Sequence, residues 1–138
     1  MPLPNAPEAR PFYRSARQRF EDAEFLLAAE RTTGAIYLAG YGVECMLKAL
    51  ILSLGSPSAR PTILATFRGA QAHDYDWLRR QYSELGGQTF PPATLKQFIL
   101  VNTWTTDLRY DSGTARRRDA EDFLKASEAI INWADGRL

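Results

Sequence analysis

Two adjacent residues in a short polar stretch, Arg109 and Tyr110, are the first candidates for chemistry in this chain. They lie in TWTTDLRYDSGTARRR, between two segments with helical periodicity. A guanidinium can bind a phosphate or a carboxylate through two parallel hydrogen bonds, and a tyrosine ring can stack on a base. The stretch therefore indicates contact with an anion or RNA or, as the alternative, a purely structural tether at a junction between two helices.

The single histidine, His73, is followed directly by Asp74. Imidazole titrates near neutral pH, so this pair could act as a general base and the carboxylate that orients it. The simpler interpretation, which we favour, is that Asp74 caps a helix while His73 packs or bonds to a loop carbonyl. His73 is retained as an alternative base.

Glu44 and Lys48 lie in the most apolar segment of the chain, Gly34 to Gly55. This segment is long enough to cross a bilayer, but each charge at the bilayer centre would cost about 2.5 to 3.5 kcal/mol. We therefore predict a buried central helix and no membrane span. An acid four residues before a base lies on the same helix face, so Glu44 is expected to pair with Lys48, with Arg109 as the other candidate.

Composition limits the remaining function classes. With 138 residues, of which 45% are hydrophobic, the chain can form one domain with one core. Its 17 basic and 16 acidic side chains nearly cancel, so any anion site must be local. One cysteine and one histidine cannot supply a four-ligand zinc site or an internal disulfide. We expect no metal, no cofactor and a cytoplasmic location.

The hydrophobic periodicity predicts an all-α fold without strands. Residues 1–10 carry no signal-peptide pattern and are expected to be a flexible lead-in, followed by one helical domain over residues 11–138. Five helices are expected. The approximate ranges of the first four are 11–31, 34–54, 73–85 and 91–104, with a short helical turn at 62–67, and the fifth carries Phe123, Ala126, Ile130 and Trp133 at helical spacing.

Two local features refine the predicted packing. Thr33 is expected to cap the central helix with its hydroxyl. Gly40 and Gly42 each cost about 1 kcal/mol relative to alanine in a helix, so a partner helix should approach closely there.

Arg116, Arg117 and Arg118 are consecutive and fan out around the last helix, which favours a solvated surface over a shared ligand site.

Four segments of the chain resemble the HEPN domains of prokaryotes. They are RSARQRFEDAEFLL, GAIYLAGYGVECMLKALI, HDYDWL and DLRY…DAEDFLKASEAIINW, and together they extend from about Tyr13 to Trp133. The resemblance implies an up-and-down bundle of four to five helices, usually a homodimer with a cleft between protomers. Such proteins are often encoded beside minimal nucleotidyltransferases.

Many HEPN domains resemble RNases whose motif is an arginine followed about four to six residues later by a histidine. Only Arg109 of this chain matches that motif, because no histidine follows it. The resemblance thus implies a non-catalytic module that binds a nucleotide, RNA or a nucleotidyltransferase partner, as in toxin–antitoxin systems. Arg109, Tyr110, Glu44 and Lys48 are the expected ligand-binding residues.

Two alternatives to this module remain open. One is a divergent metal-independent RNase in which His73, placed close to Arg109, replaces the missing histidine. The other is a structural assembly adaptor. At rest Arg109 is expected to reach Glu44 or Asp107, so Arg109→Ala should lower the free energy of unfolding by about 2 to 4 kcal/mol if the role is mainly structural.

Overall fold

Helices surround one central helix in this computed structural model, which describes residues 3–112 and 114–138. The helices are α1 (Arg10–Ala28), α2 (Thr32–Leu54), α3 (Arg60–Ala65), α4 (Tyr75–Glu84), α5 (Pro92–Val101) and α6 (Arg117–Asp135). Three 3-10 turns occur at Pro7–Ala9, Ala70–His73 and Thr106–Tyr110. The described residues contain no strand, so the predicted all-α class is confirmed.

The central element is α2, which is buried at every residue from Gly42 to Leu52. Helices α1 and α6 pack along it, and α4 contacts it from another side. By length and composition α2 could span a membrane, with a mean hydropathy of 1.5, but 78% of its most apolar window is buried inside the protein. The prediction of a buried central helix is therefore confirmed.

The start of α2 is tied to the chain that precedes α6. Thr32 Oγ1 donates a hydrogen bond to the Ala115 carbonyl over 2.7 Å, and Thr33 Oγ1 accepts one from the Ala115 N–H over 3.2 Å. The predicted capping role of Thr33 is wrong: Arg31 occupies the N-cap position, and no side chain of the described residues caps the helix there. The two hydroxyls instead fix the approach to α6.

The two glycines of α2 serve different neighbours. A Cβ at Gly42 would lie 3.1 Å from the Ala16 carbonyl oxygen of α1, so the predicted close approach of a helix is found there. A Cβ at Gly40 would instead overlap the indole ring of Trp104, which belongs to the break between α5 and α6. Gly40 therefore makes room for a side chain and not for a helix.

Other boundaries differ from the sequence expectations. The segment expected as a lead-in packs on the protein, because Ala6 and Ala9 are buried and the Pro7–Ala9 turn contacts α2. Met1 and Pro2 lie outside the described residues. The short turn expected at 62–67 is α3, so the described helices number six and not five, and α1 ends at Ala28 rather than Arg31.

Candidate functional site

Three side chains predicted from the sequence form one network between α2 and the turn before α4. Glu44 Oε2 accepts a hydrogen bond from Lys48 Nζ over 2.8 Å. The other carboxylate oxygen, Oε1, lies 2.8 Å from Nδ1 of His73. The predicted Glu44–Lys48 pair is confirmed, and His73 is its third member.

The Glu44–Lys48 ion pair is almost completely removed from solvent. The side chain of Glu44 is 1% exposed and that of Lys48 is 7% exposed. The ammonium nitrogen of Lys48 also lies 5.8 Å from the ring centre of Phe12 and 5.5 Å from that of Phe67, within the range of cation–π attraction. Burial is tolerated because each charge has an opposite charge or an aromatic face beside it.

The carboxylate of Glu44 determines how His73 can react. When Nδ1–H donates to the carboxylate, the neutral imidazole has its lone pair on Nε2. The side chain of His73 is 41% exposed, so a ligand can approach the ring. This arrangement can accept a proton or a hydrogen bond from a ligand.

The predicted surroundings of His73 need two corrections. Its partner is the Glu44 carboxylate and not a loop carbonyl. Asp74 does not orient the imidazole, because its Oδ1 accepts from the N–H groups of Asp76 and Trp77 and caps α4. The predicted cap is therefore confirmed, and the carboxylate that orients His73 comes from a residue 29 positions earlier in the chain.

Arg109 and Tyr110 lie at the end of the Thr106–Tyr110 turn, which is anchored in the core by Trp104. The indole N–H of Trp104 donates to the Tyr37 carbonyl over 3.1 Å, and its ring stacks on Tyr75 with 5.3 Å between centres. Thr105 Oγ1 accepts from the N–H of Asp107 and starts the turn. The turn that carries the two exposed residues is thus held in place by the packing of Trp104.

Among the described residues, the guanidinium of Arg109 makes one hydrogen bond and one cation–π contact. Its Nε donates to the Thr106 carbonyl over 3.0 Å, and its central carbon lies 5.2 Å from the ring centre of Tyr110. Tyr110 itself is 78% exposed. Among the described residues, no carboxylate lies within ion-pair distance of Arg109.

The expected resting pair of Arg109 with Glu44 or Asp107 is therefore wrong. Both oxygens of Glu44 are taken by Lys48 and His73, and the turn directs Arg109 to its own backbone. Removing Arg109 strands no buried carboxylate of the described residues, so the structural basis for a loss of 2 to 4 kcal/mol on Arg109→Ala disappears.

The predicted site residues fall into two groups. His73 joins Glu44 and Lys48, while Arg109 joins Tyr110, and no hydrogen bond or ion pair between described residues links the groups. Gly40, which faces Trp104 near the turn, precedes Glu44 by about one helical turn along α2. The two groups are thus arranged along one helix.

A cavity of about 390 Å³ opens beside the Thr106–Tyr110 turn. Its lining comes from α2, α5, α6 and the break between α5 and α6, and consists of Ile36, Leu100, Thr103, Trp104, Leu108, Asp119, Asp122 and Phe123. Sequence reasoning missed this cavity. The only signal was the spacing of Asp119, Asp122 and Phe123, which places them near one another on α6.

The arginine cluster at the start of α6 behaves as a solvated surface. Arg116 pairs with Asp119 over 3.1 Å, and Arg117 pairs with Glu121 over 2.8 Å and also with Glu30. All three consecutive arginines are exposed. The charges of the first two are therefore already paired with neighbouring carboxylates.

Among the described residues, neither a reactive thiol nor a cluster of metal-binding side chains is found. Burial raises the pKa of the Cys45 thiol to about 12, with the nearby Glu44 carboxylate as a smaller cause, so the thiol stays protonated at neutral pH. The described residues contain no group of three His, Cys, Asp or Glu side chains arranged to hold a metal ion.

Comparisons with known proteins agree with this architecture. The sequence model of the HEPN domain matches residues 9–137. A crystal structure of TT1696 from Thermus thermophilus is similar in fold, with a TM-score of 0.68 and 19% sequence identity, over 94% of this chain and 98% of that chain. Among curated proteins, no match was found.

Proposed function

The chain belongs to the HEPN domain family, and we propose that it is a non-catalytic member that binds a nucleotide or RNA through Arg109 and Tyr110. The observation that supports this proposal most is the exposure of both side chains on a turn anchored by Trp104. A guanidinium with no carboxylate partner among residues 3–112 and 114–138 can take a phosphate, and an exposed ring can stack on a base.

The chemistry of the turn favours a nucleotide over a simple anion. The cation and the aromatic ring are adjacent, 5.2 Å apart, and the neighbouring Leu108 lines a cavity with apolar walls. A ligand with a phosphate and a planar base can use all of these features together. A small inorganic anion would use the guanidinium alone.

Partners form a further part of the proposal. We propose a cytoplasmic homodimer that acts with a partner such as a minimal nucleotidyltransferase, in a toxin–antitoxin-like context. Exposed apolar side chains support association, since Phe25 is 81% exposed and Ile99 is 66% exposed. In this arrangement Glu44 and Lys48 support the module from within and do not touch the ligand.

The binding experiment combines affinity and stability on the same variants. Nucleotide and single-stranded RNA binding would be measured for the unchanged protein, Arg109→Ala and Tyr110→Ala. We expect both variants to bind about tenfold or more weakly than the parent. Their free energies of unfolding should stay within about 0.5 kcal/mol of the parent, because both side chains are exposed. Arg118→Ala, another exposed arginine change, is the matched control and should leave binding within about twofold.

A second candidate function is metal-independent RNA cleavage with His73 as the base. The observation that favours it is the 2.8 Å contact between His73 Nδ1 and the buried Glu44 carboxylate, which leaves Nε2 able to take a proton. Against it stands the absence of any hydrogen bond or ion pair between His73 and Arg109 among the described residues.

A further inference from the structure

We propose that the cavity beside the Thr106–Tyr110 turn recognises a guanine base and that Asp122 is the residue that reads it. This inference rests on the proposed function, because it names the base that the same site would take. Guanine could arrive as a free nucleotide or as part of a single RNA strand, and both sources present the same hydrogen-bonding edge.

The cavity has the size and the walls that a base requires. Its volume of about 390 Å³ lies within the range of about 300 to 1,000 Å³ that small-molecule sites occupy. Ile36, Leu100, Leu108 and Phe123 supply apolar surface on several sides. Such walls can hold a planar ring while polar groups at one edge choose which ring is bound.

The two carboxylates in the cavity lining differ in their availability. Asp119 Oδ2 accepts a hydrogen bond from Arg116 Nε over 3.1 Å, so its charge is already paired. Asp122 has neither a hydrogen bond nor an ion pair within the described part of the chain. It is therefore the lining acceptor that is free to bind a ligand.

A free carboxylate in this position selects among bases. Guanine presents two parallel donors, N1–H and the 2-amino group, which match the two oxygens of a carboxylate. Adenine and cytosine offer only one exocyclic amine at the corresponding edge, and uracil offers none. Bidentate contact with a charged acceptor is stronger than one neutral hydrogen bond, so guanine should bind best.

Charge also sets the direction of the bound nucleotide. The Asp122 carboxylate repels a phosphate from the cavity, whereas Arg109, the next residue after the cavity-lining Leu108, attracts one outside it. The base should therefore enter the cavity while the phosphate stays near the guanidinium. This orientation uses one acid and one base that form no ion pair with any of residues 3–112 and 114–138.

The test is a comparison of nucleotides by calorimetry on the intact protein. GMP should bind about tenfold more tightly than IMP, which lacks only the 2-amino group, and AMP and UMP should bind more weakly than GMP. Asp122→Asn should abolish the preference for GMP and favour XMP, because an amide N–H can donate to the 2-carbonyl of xanthine.

Glu128→Gln is the control, since it makes the same acid-to-amide change at an exposed residue of α6 that does not line this cavity. It should retain the GMP preference, and thermal melting should show both variants folded. A short single-stranded RNA with one guanine in a uridine background separates the two sources: tighter binding than GMP assigns the site to RNA, and equal or weaker binding assigns it to a free nucleotide.

The outcomes separate this inference from the proposed function. If nucleotides bind through Arg109 but Asp122→Asn leaves the order GMP, IMP and XMP unchanged, guanine recognition is overturned and the nucleotide module stands. If neither nucleotides nor RNA bind the unchanged protein, both proposals fail together.

Discussion

His73 and Glu44 meet across 29 positions of sequence, with Nδ1 of the imidazole 2.8 Å from Oε1 of the carboxylate. The contact joins a half-exposed ring to a side chain that is 1% exposed. The other oxygen of that carboxylate accepts a hydrogen bond from Lys48, so one buried acid contacts two basic side chains. This network determines the first prediction.

Glu44→Gln should lower the free energy of unfolding by about 3 to 5 kcal/mol, because it leaves the buried Lys48 ammonium without its counter-charge. Chemical denaturation followed by circular dichroism would measure the change. Glu24→Gln, the same substitution at an exposed position of α1, is the control and should stay within about 0.5 kcal/mol.

The paired change Glu44→Leu with Lys48→Met separates charge from packing. Replacing both charges with apolar side chains removes the unpaired ion, so most of the stability lost in Glu44→Gln should return. A double variant as unstable as the single one would contradict the assignment of the loss to a stranded charge.

The second prediction concerns the glycine that faces Trp104. Gly40→Ala should destabilise the fold by about 1 to 3 kcal/mol, since the added methyl group would overlap the indole ring. Gly34→Ala is the comparison, because its Cβ would lie 3.3 Å from the flexible end of Leu26. That variant should be neutral or more stable by up to about 1 kcal/mol, the gain in helix propensity. Equal melting of the two variants would contradict the close packing at Gly40.

The third prediction is a pH dependence that belongs to Cys45. Its pKa in the folded protein is raised from the ordinary value of 9.0 to about 12, so above pH 9 the unfolded chain loses a proton that the folded chain keeps. Stability is fully present below pH 9 and falls by up to about 1.4 kcal/mol per pH unit between the two values. Comparing unfolding at pH 8 and pH 10 for the parent and for Cys45→Ala isolates this effect. A parent protein that loses no more stability than the variant would contradict it.

The fourth prediction is the absence of strong RNase activity. No histidine follows Arg109 in the chain, and among the described residues no hydrogen bond or ion pair links His73 to Arg109. Purified protein incubated with labelled single-stranded RNA should show no cleavage with multiple turnovers. Cleavage that is abolished by His73→Ala and retained in Cys45→Ala would establish the enzymatic alternative instead.

Much of the fold follows from local sequence patterns. The continuous apolar run of α2 predicts its burial, and the spacing of four between Glu44 and Lys48 predicts their pairing, because both depend only on the geometry of one helix. The Asp74 cap is equally local. Such features need no knowledge of which helices are neighbours.

The candidate site required information that local patterns do not contain. The contact of Glu44 with His73 depends on how the turn before α4 packs on α2, and the cavity beside Leu108 depends on which face of α6 approaches α2 and α5. The residue type of Arg109 alone favours a buried carboxylate partner. Its turn instead keeps it at the surface, where its own backbone satisfies one donor.

The buried ion pair of α2 also raises the cost of placing this apolar helix in a membrane. This 23-residue helix, with a mean hydropathy of 1.5, is long and apolar enough to cross a bilayer. Glu44 and Lys48 together add about 5 to 7 kcal/mol to the cost of placing this segment in a bilayer. Glu44, which also contacts His73, and Lys48 thus both oppose the placement of this helix in lipid.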